Sequence, residues 1–321
     1  MNAATETVEQ RPLGATGHSV SALGLGCASY WARPGFPEKR ARAVFEAALE
    51  CGLTLFDTGA SYSAGEAERR LGRMIAAAGA RAEDLVVATK AGTVADENGR
   101  IARDFSPGGV AGQVEQSLRR LGTERIALLQ LHGPETADLT DELCTALERL
   151  RTAGKVSMLG INAGSEVLWP VVGQRPFDVL MPFVSVMRPH NVQLARRAAQ
   201  AGQGVLAAEP LARMRFAPPR ARWLTRASGL WYLARNLSRP GTGQERERLK
   251  CLRKALAAPG WTRAQLALAW VLTRPGVASA VFGTTDPEHV HELARAATRP
   301  LPDDVETAIG KCHRARPGEA P

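Results

Sequence analysis

GLGC, residues 24–27, closes the first apolar run of the chain, and its reading decides between two architectures. Short apolar runs alternate with amphipathic stretches almost from end to end: Ser21–Gly26, Leu53–Phe56, Leu85–Thr89, Ile126–Leu131, Val156–Ile161, Phe177–Met181, Gly204–Ala208 and Val277–Phe282. Eight strand-like runs separated by helix-like segments argue for parallel βα units. A doubly wound open sheet and a closed barrel both satisfy that pattern. The dinucleotide-binding form of the open sheet carries G-x-G-x-x-G after an early strand. GLGC is not such a fingerprint, and no other early strand is followed by one. Eight units in 321 residues fit a barrel. The expected fold is therefore α/β, a (β/α)8 TIM barrel forming one domain over residues 1–321.

The segments between the runs have helical spacing. In EKRARAVFEAALECG (38–52), Ala41, Val44, Phe45, Ala48 and Leu49 share a face and Gly52 supplies a stop. GGVAGQVEQSLRRLG (108–122) and TDELCTALERLRTAGK (140–155) follow the same logic, the second with Thr140 as N-cap. Two segments fall outside the repeat. RPLGATGHSVSALG (11–24) reads as a β-hairpin around Gly14-Ala15-Thr16-Gly17, placed to plug the barrel floor. Residues 211–260, with Pro218, Pro219, Pro240 and Gly241, form a long loop insertion before the seventh helix, and such loops serve as lids or pocket walls.

Composition narrows the class. Hydrophobic residues make up 45% and charged residues 23%, ordinary for a globular chain. No apolar run approaches the roughly eighteen residues of a membrane span, and the N-terminus has no secretory core, so a cytoplasmic protein without a membrane partner is expected. The formal charge is +9, carried mostly by Arg, but the cations are spread along many segments and aromatics are only 5%. That pattern, without a nucleic-acid-binding signature, points to a solvated surface rather than a nucleic-acid partner. Cys27, Cys51, Cys144, Cys251 and Cys312 show no paired spacing, which reads as reduced thiols and no metal site.

Barrels of this kind place chemistry at the C-terminal ends of strands. The second run ends in Asp57, the third in Lys90, the fourth in His132 and the fifth in Asn162, and Tyr62 lies on the loop after Asp57. A Tyr with an ordinary pKa near 10 is a poor acid at neutral pH. A nearby Lys ammonium lowers that value and readies the hydroxyl to give up its proton. The Lys is tolerable in a half-buried pocket only when a carboxylate pairs with it, which gives Asp57 its role. A neutral His beside them can orient a carbonyl oxygen. Together the four make a device for protonating an alkoxide as it forms from an aldehyde or ketone.

Over nearly its full length the chain resembles the aldo-keto reductase superfamily. The matching stretches are LGATGHSVSALGLGC (13–27), FDTGASYSAGEAERRLG (56–72), VVATK (86–90), SLRRLGTERIALLQLHGPE (117–135), LERLRTAGKVSMLGI (147–161), QLALAWVLTRPGV (265–277) and FGTTDPEHVHEL (282–293). The resemblance implies a (β/α)8 barrel that binds a nicotinamide cofactor in extended form, NADPH or alternatively NADH, and reduces a small carbonyl substrate. It carries the family's catalytic tetrad onto Asp57, Tyr62, Lys90 and His132. It also implies cofactor contacts from Gly26, Cys27, Asn162, Met181, Pro210, Leu211, Gly283, Thr284, Thr285, His289 and Glu292. At several of these the sequence departs from the family. Asn162-Ala163 stands where Ser-Asn is usual, Met181 where a Gln is expected, and Phe183 is the only aromatic near the usual nicotinamide-stacking position. His289 occupies a position where Arg often meets the 2′-phosphate, and Leu293 replaces a common Asn. Tyr30, Trp31, Trp223 and Trp231 are the substrate-pocket candidates. Two alternatives stay open: a non-redox proton transfer by the same tetrad, and a barrel that senses its cofactor. The oligomeric state is not legible.

Overall fold

The computed structural model describes residues 7–95, 98, 100–216 and 243–314. An antiparallel hairpin of β1 (Gln10–Pro12) and β2 (Ser19–Ser21) precedes the barrel. Eight parallel strands then close on themselves: β3 (Leu23–Gly26), β4 (Leu55–Asp57), β5 (Val86–Ala91), β8 (Ile126–His132), β9 (Val156–Asn162), β10 (Val179–Met181), β11 (Gly204–Ala208) and β12 (Ser279–Phe282). Every apolar run of the sequence supplies one barrel strand. A second small hairpin, β6 (Thr93–Ala95) with β7 (Ile101–Arg103), stands above the third barrel strand.

The helices are α1 (Glu38–Glu50), α2 (Glu66–Ala78), α3 (Pro107–Leu121), α4 (Asp141–Thr152), a single turn α5 (Ser165–Leu168), α6 (Asn191–Gln200), α7 (Gly243–Ala255), α8 (Arg263–Leu272), α9 (Pro287–Ala297) and α10 (Asp303–Arg314). Their starts follow the sequence signals. Thr140 accepts from the Leu143 N–H at the head of α4, and Thr262 with Gln265 forms a capping box on α8. On α1 the apolar face goes inward, and Phe45 meets Phe56 of β4 with ring centroids 4.9 Å apart.

The hairpin does plug the floor. Leu13 and Val20 are fully buried and cluster with barrel-interior residues including Leu55, Leu128, Val179 and Leu206. Gly14 has φ +59°, and a Cβ there would lie 2.4 Å from the Gly204 backbone nitrogen, so the turn admits no side chain.

Two expectations change here. The insertion before the seventh helix, α8, is not a loop throughout, because its C-terminal part is α7. The reduced-thiol reading fails for one pair: Cys251 of α7 and Cys312 of α10 form a disulfide, with Cα atoms 5.6 Å apart. The two helices pack side by side, which a separation of 61 positions conceals. Cys27 and Cys51 are buried free thiols, and Cys144 is a half-buried one. No helix among the described residues is long and apolar enough to cross a membrane.

Candidate active site

Barrel register carries the polar strand ends to one mouth. Gly26 lies opposite Asp57, Lys90 opposite Gln130, and Asn162 lies between His132 and Met181. Beyond β4 the chain turns through Gly59 into a short 3₁₀ segment that begins with Tyr62. Ser63 and Ala64 are left-handed (φ 49° and 51°), a conformation costing about 1 kcal/mol each for residues with a Cβ. The Ser63 hydroxyl donates to the Ser29 carbonyl at 2.7 Å and holds this turn. A Cβ on Gly59 would approach the Tyr62 ring at 3.3 Å, so the ring rests directly on backbone.

Lys90 is 1% exposed, and its Nζ donates to Asp57 Oδ2 at 2.5 Å and to the Thr58 carbonyl at 2.7 Å. The other carboxylate oxygen, Asp57 Oδ1, accepts from Gln130 Nε2 at 2.9 Å. The Lys90 ammonium lies 5.3 Å from the centre of the Tyr62 ring, and the His132 ring meets Tyr62 edge-on at 5.4 Å. Burial alone would strip charge from Lys90, but Asp57 and Tyr62 more than offset it and its pKa rises. Burial pushes the Asp57 carboxyl up, with Lys90 and Gln130 acting against it. Tyr62 departs from the expectation of a lowered pKa. Its burial outweighs the pull of Lys90, so its pKa is raised and the hydroxyl keeps its proton at neutral pH. His132 is lowered to about 3, by burial first and by Lys90 second, and is a neutral imidazole at physiological pH.

A cavity of about 1310 Å³ begins at these four side chains and extends to the start of α9. Gly26, Tyr30, Asn162, Met181, Pro210, Leu211, Gly283, Thr284, Thr285, His289 and Glu292 all line it. Tyr30 donates from its hydroxyl to the Gly26 carbonyl at 2.8 Å and lies against Gly283, where a Cβ would come within 2.2 Å of that hydroxyl. Asn162 spends its Nδ2 on the Met181 carbonyl at 2.9 Å. Phe183 lines the cavity beside them, beneath the Arg188 guanidinium at 4.9 Å. At the far end Asp286 caps α9, and Thr284 Oγ1 is 3.0 Å from His289 Nδ1. Arg263 faces the same region from the first turn of α8. A smaller recess of about 390 Å³ opens past Tyr62 and His132, bounded by Ser29, Ser61, Thr93, Ile101 and Phe183.

Two candidates do not reach the cavity. Trp31 is fully buried in the core against Phe36, because the 3₁₀ turn Ser29–Ala32 rotates Tyr30 outward and Trp31 inward. Cys27 is likewise buried, its backbone N–H donating to the Asp57 carbonyl at 2.7 Å, so it supports the site from behind. Trp223 and Trp231 lie outside the described residues. Sequence reading missed Gln130, Ser61, Thr93, Ile101 and Arg263. For Gln130 a signal existed: it is an amide inside the apolar run IALLQLH, where a buried polar group demands a partner.

The family model of the aldo/keto reductases matches residues 22–314, and the chain belongs to that family. The oxidoreductase YqkF of Bacillus subtilis is 27% identical over 96% of this chain and 100% of its own length. A D-threo-aldose 1-dehydrogenase from a Pseudomonas species is 30% identical over 60% of this chain and 67% of its own length. Among solved structures, an aldo-keto reductase of Bacillus halodurans in its holo form superposes with a TM-score of 0.76 at 27% identity, covering 95% of this chain and 96% of that one. A glycerol dehydrogenase of Gluconobacter oxydans shares the fold, with a TM-score of 0.76 at 24% identity over 94% of both chains. Family membership and these relatives support a general oxidoreductase role, in a family that uses nicotinamide cofactors on small carbonyl compounds.

Proposed function

We propose that this chain reduces an aldehyde or ketone to an alcohol, with NADPH or NADH as hydride donor and Tyr62 as general acid. The observation that carries the reading is one continuous cavity. At one end Asp57, Lys90, Tyr62 and His132 converge, and at the other hydroxyls and a helix N-terminus face the same space.

The donor set fits an extended dinucleotide. Thr284 and Thr285, beside the start of α9, would hold phosphate through their hydroxyls. Arg263 and His289 would add positive or hydrogen-bonding partners near it. Asn162 would take the carboxamide and Phe183 would lie against the nicotinamide. The reduced nicotinamide, when bound, supplies a hydride to the carbonyl carbon.

The chain's own residues handle the oxygen. As the C=O electron pair moves onto oxygen, the atom becomes far more basic than a phenolate, and the Tyr62 hydroxyl transfers its proton to it. Because Tyr62 stays protonated until then, it is loaded at neutral pH. Lys90 stabilises the phenolate left behind, and Asp57 keeps Lys90 charged and aimed. His132, neutral, donates a hydrogen bond to the developing oxyanion. The recess past Tyr62, with Ile101 and Phe183 as apolar walls, would receive the rest of the substrate.

The test is titration of the purified protein with NADPH and NADH by fluorescence, followed by carbonyl-dependent oxidation of the bound cofactor. Binding with turnover supports the reading. Binding without turnover of any carbonyl compound would favour a cofactor-sensing barrel, and binding of neither cofactor would favour a non-redox proton transfer.

A further inference from the structure

His132 closes β8 with its two ring nitrogens in different surroundings. Nδ1 lies 2.8 Å from Thr93 Oγ1 and 3.3 Å from Ser61 Oγ. Nε2 has no protein partner among the described residues, and the ring lines both the long cavity and the recess. A neutral imidazole carries one N–H, so the nitrogen without it can only accept. With the proton on Nδ1, the side facing a substrate would present a lone pair and repel a carbonyl oxygen.

Thr93 enters from the first residue of β6 and Ser61 from the position before Tyr62, and they are 8% and 6% exposed. Their oxygens are 3.5 Å apart, and neither hydroxyl has a carbonyl or carboxylate partner among the described residues. Proton counting in this cluster separates the two tautomers. If Nδ1 is bare, Thr93 donates to it at 2.8 Å and Ser61 at 3.3 Å, so each O–H has an acceptor. If Nδ1 carries the proton, three donors face two hydroxyl oxygens, and one O–H is left with no protein acceptor, turned to the recess.

We propose that Thr93, assisted by Ser61, is a positioning residue that holds His132 in the Nε2–H tautomer, so that an N–H rather than a lone pair faces the substrate oxygen. The catalytic consequence rests on the reductase reading, whereas the tautomer lock does not.

Long-range ¹⁵N–¹H correlation spectra of histidine-labelled protein test the lock directly. The His132 signals are identified among the six histidines by their loss in His132→Gln. The expected wild-type spectrum at neutral pH shows a bare Nδ1 and a protonated Nε2. Thr93→Val should shift His132 toward the Nδ1–H form, and Thr93→Ser should restore the wild-type pattern. In turnover, Thr93→Val should lose about 100-fold in kcat with cofactor Kd unchanged, as for loss of an aligned oxyanion donor. A wild-type spectrum with Nδ1 protonated overturns the proposal whether or not any variant folds. So does an unshifted tautomer in Thr93→Val, or in Thr93→Ala where the Val variant does not fold. Spectra that behave as expected in a protein that reduces no carbonyl would uphold the lock and remove the reductase reading.

Discussion

At the floor of the barrel, Leu13 and Val20 fill the opening with hydrocarbon, fully buried and clustered with other apolar side chains. At the mouth, Asp57, Lys90 and Gln130 are buried too, yet the polar contacts among them join three different strands. The floor is specified by volume. Removing a piece of it leaves a cavity, whose cost is felt throughout the fold but not in any particular chemistry. The mouth is specified by pairing. Deleting one member there leaves a buried charge unmatched, so the loss concentrates on what that charge was doing. One barrel thus separates the side chains that hold its shape from those that face its ligands.

Substitutions at the two ends should therefore dissociate. Tyr62→Phe keeps the ring and removes only the hydroxyl that carries the proton, so kcat should fall about 10³-fold with cofactor Kd unchanged. Retained turnover in that variant would remove Tyr62 from its proposed role. Leu13→Ala is the converse, expected to lower unfolding free energy by about 3 kcal/mol in a denaturant titration while kcat stays near wild type. A large activity loss at full stability would break the contrast between floor and mouth. Between the extremes, Asn162→Ala should raise cofactor Kd about tenfold, the worth of one hydrogen bond, and an unchanged Kd would take Asn162 out of the binding site. His289 is exposed at the cavity rim, so His289→Arg should favour NADPH over NADH by only about fivefold. No change in that ratio would place the 2′-phosphate elsewhere. The smallest expected effect is a null one. With its pKa lowered to about 3, His132 is already deprotonated across the range from about pH 5 to pH 8, so the rate profile there should carry no His132 inflection. An inflection that disappears in His132→Gln would bring the imidazolium into the mechanism.

The barrel was legible because the information that builds it is local. Eight apolar runs of strand length, separated by helical spacing, needed no knowledge of contacts, and the strand-end positions of Asp57, Lys90, His132 and Asn162 followed from the same count. What stayed hidden depends on neighbours across the barrel or on the pitch of one turn. Gln130 reaches Asp57 only because register places β8 beside β5. Thr93 meets His132 through a hairpin whose path no periodicity encodes. Trp31 and Tyr30 are adjacent in sequence and face opposite ways, a choice made by a single 3₁₀ turn. The rise in the Tyr62 pKa reflects how deeply the ring sits, which residue identity alone does not give.

The bond between Cys251 and Cys312 makes a covalent hoop out of the last part of the described chain. Inside it lie α8, β12 and α9: the seventh helix, the strand that seals the barrel against β3, and the helix whose start faces the far end of the long cavity. A ring spanning 61 positions removes about 4 kcal/mol of chain entropy from the unfolded state in the loop-closure model. That constraint falls on the seam, where the final strand must return to the first, and a single backbone cut inside the hoop would leave both fragments attached to the barrel.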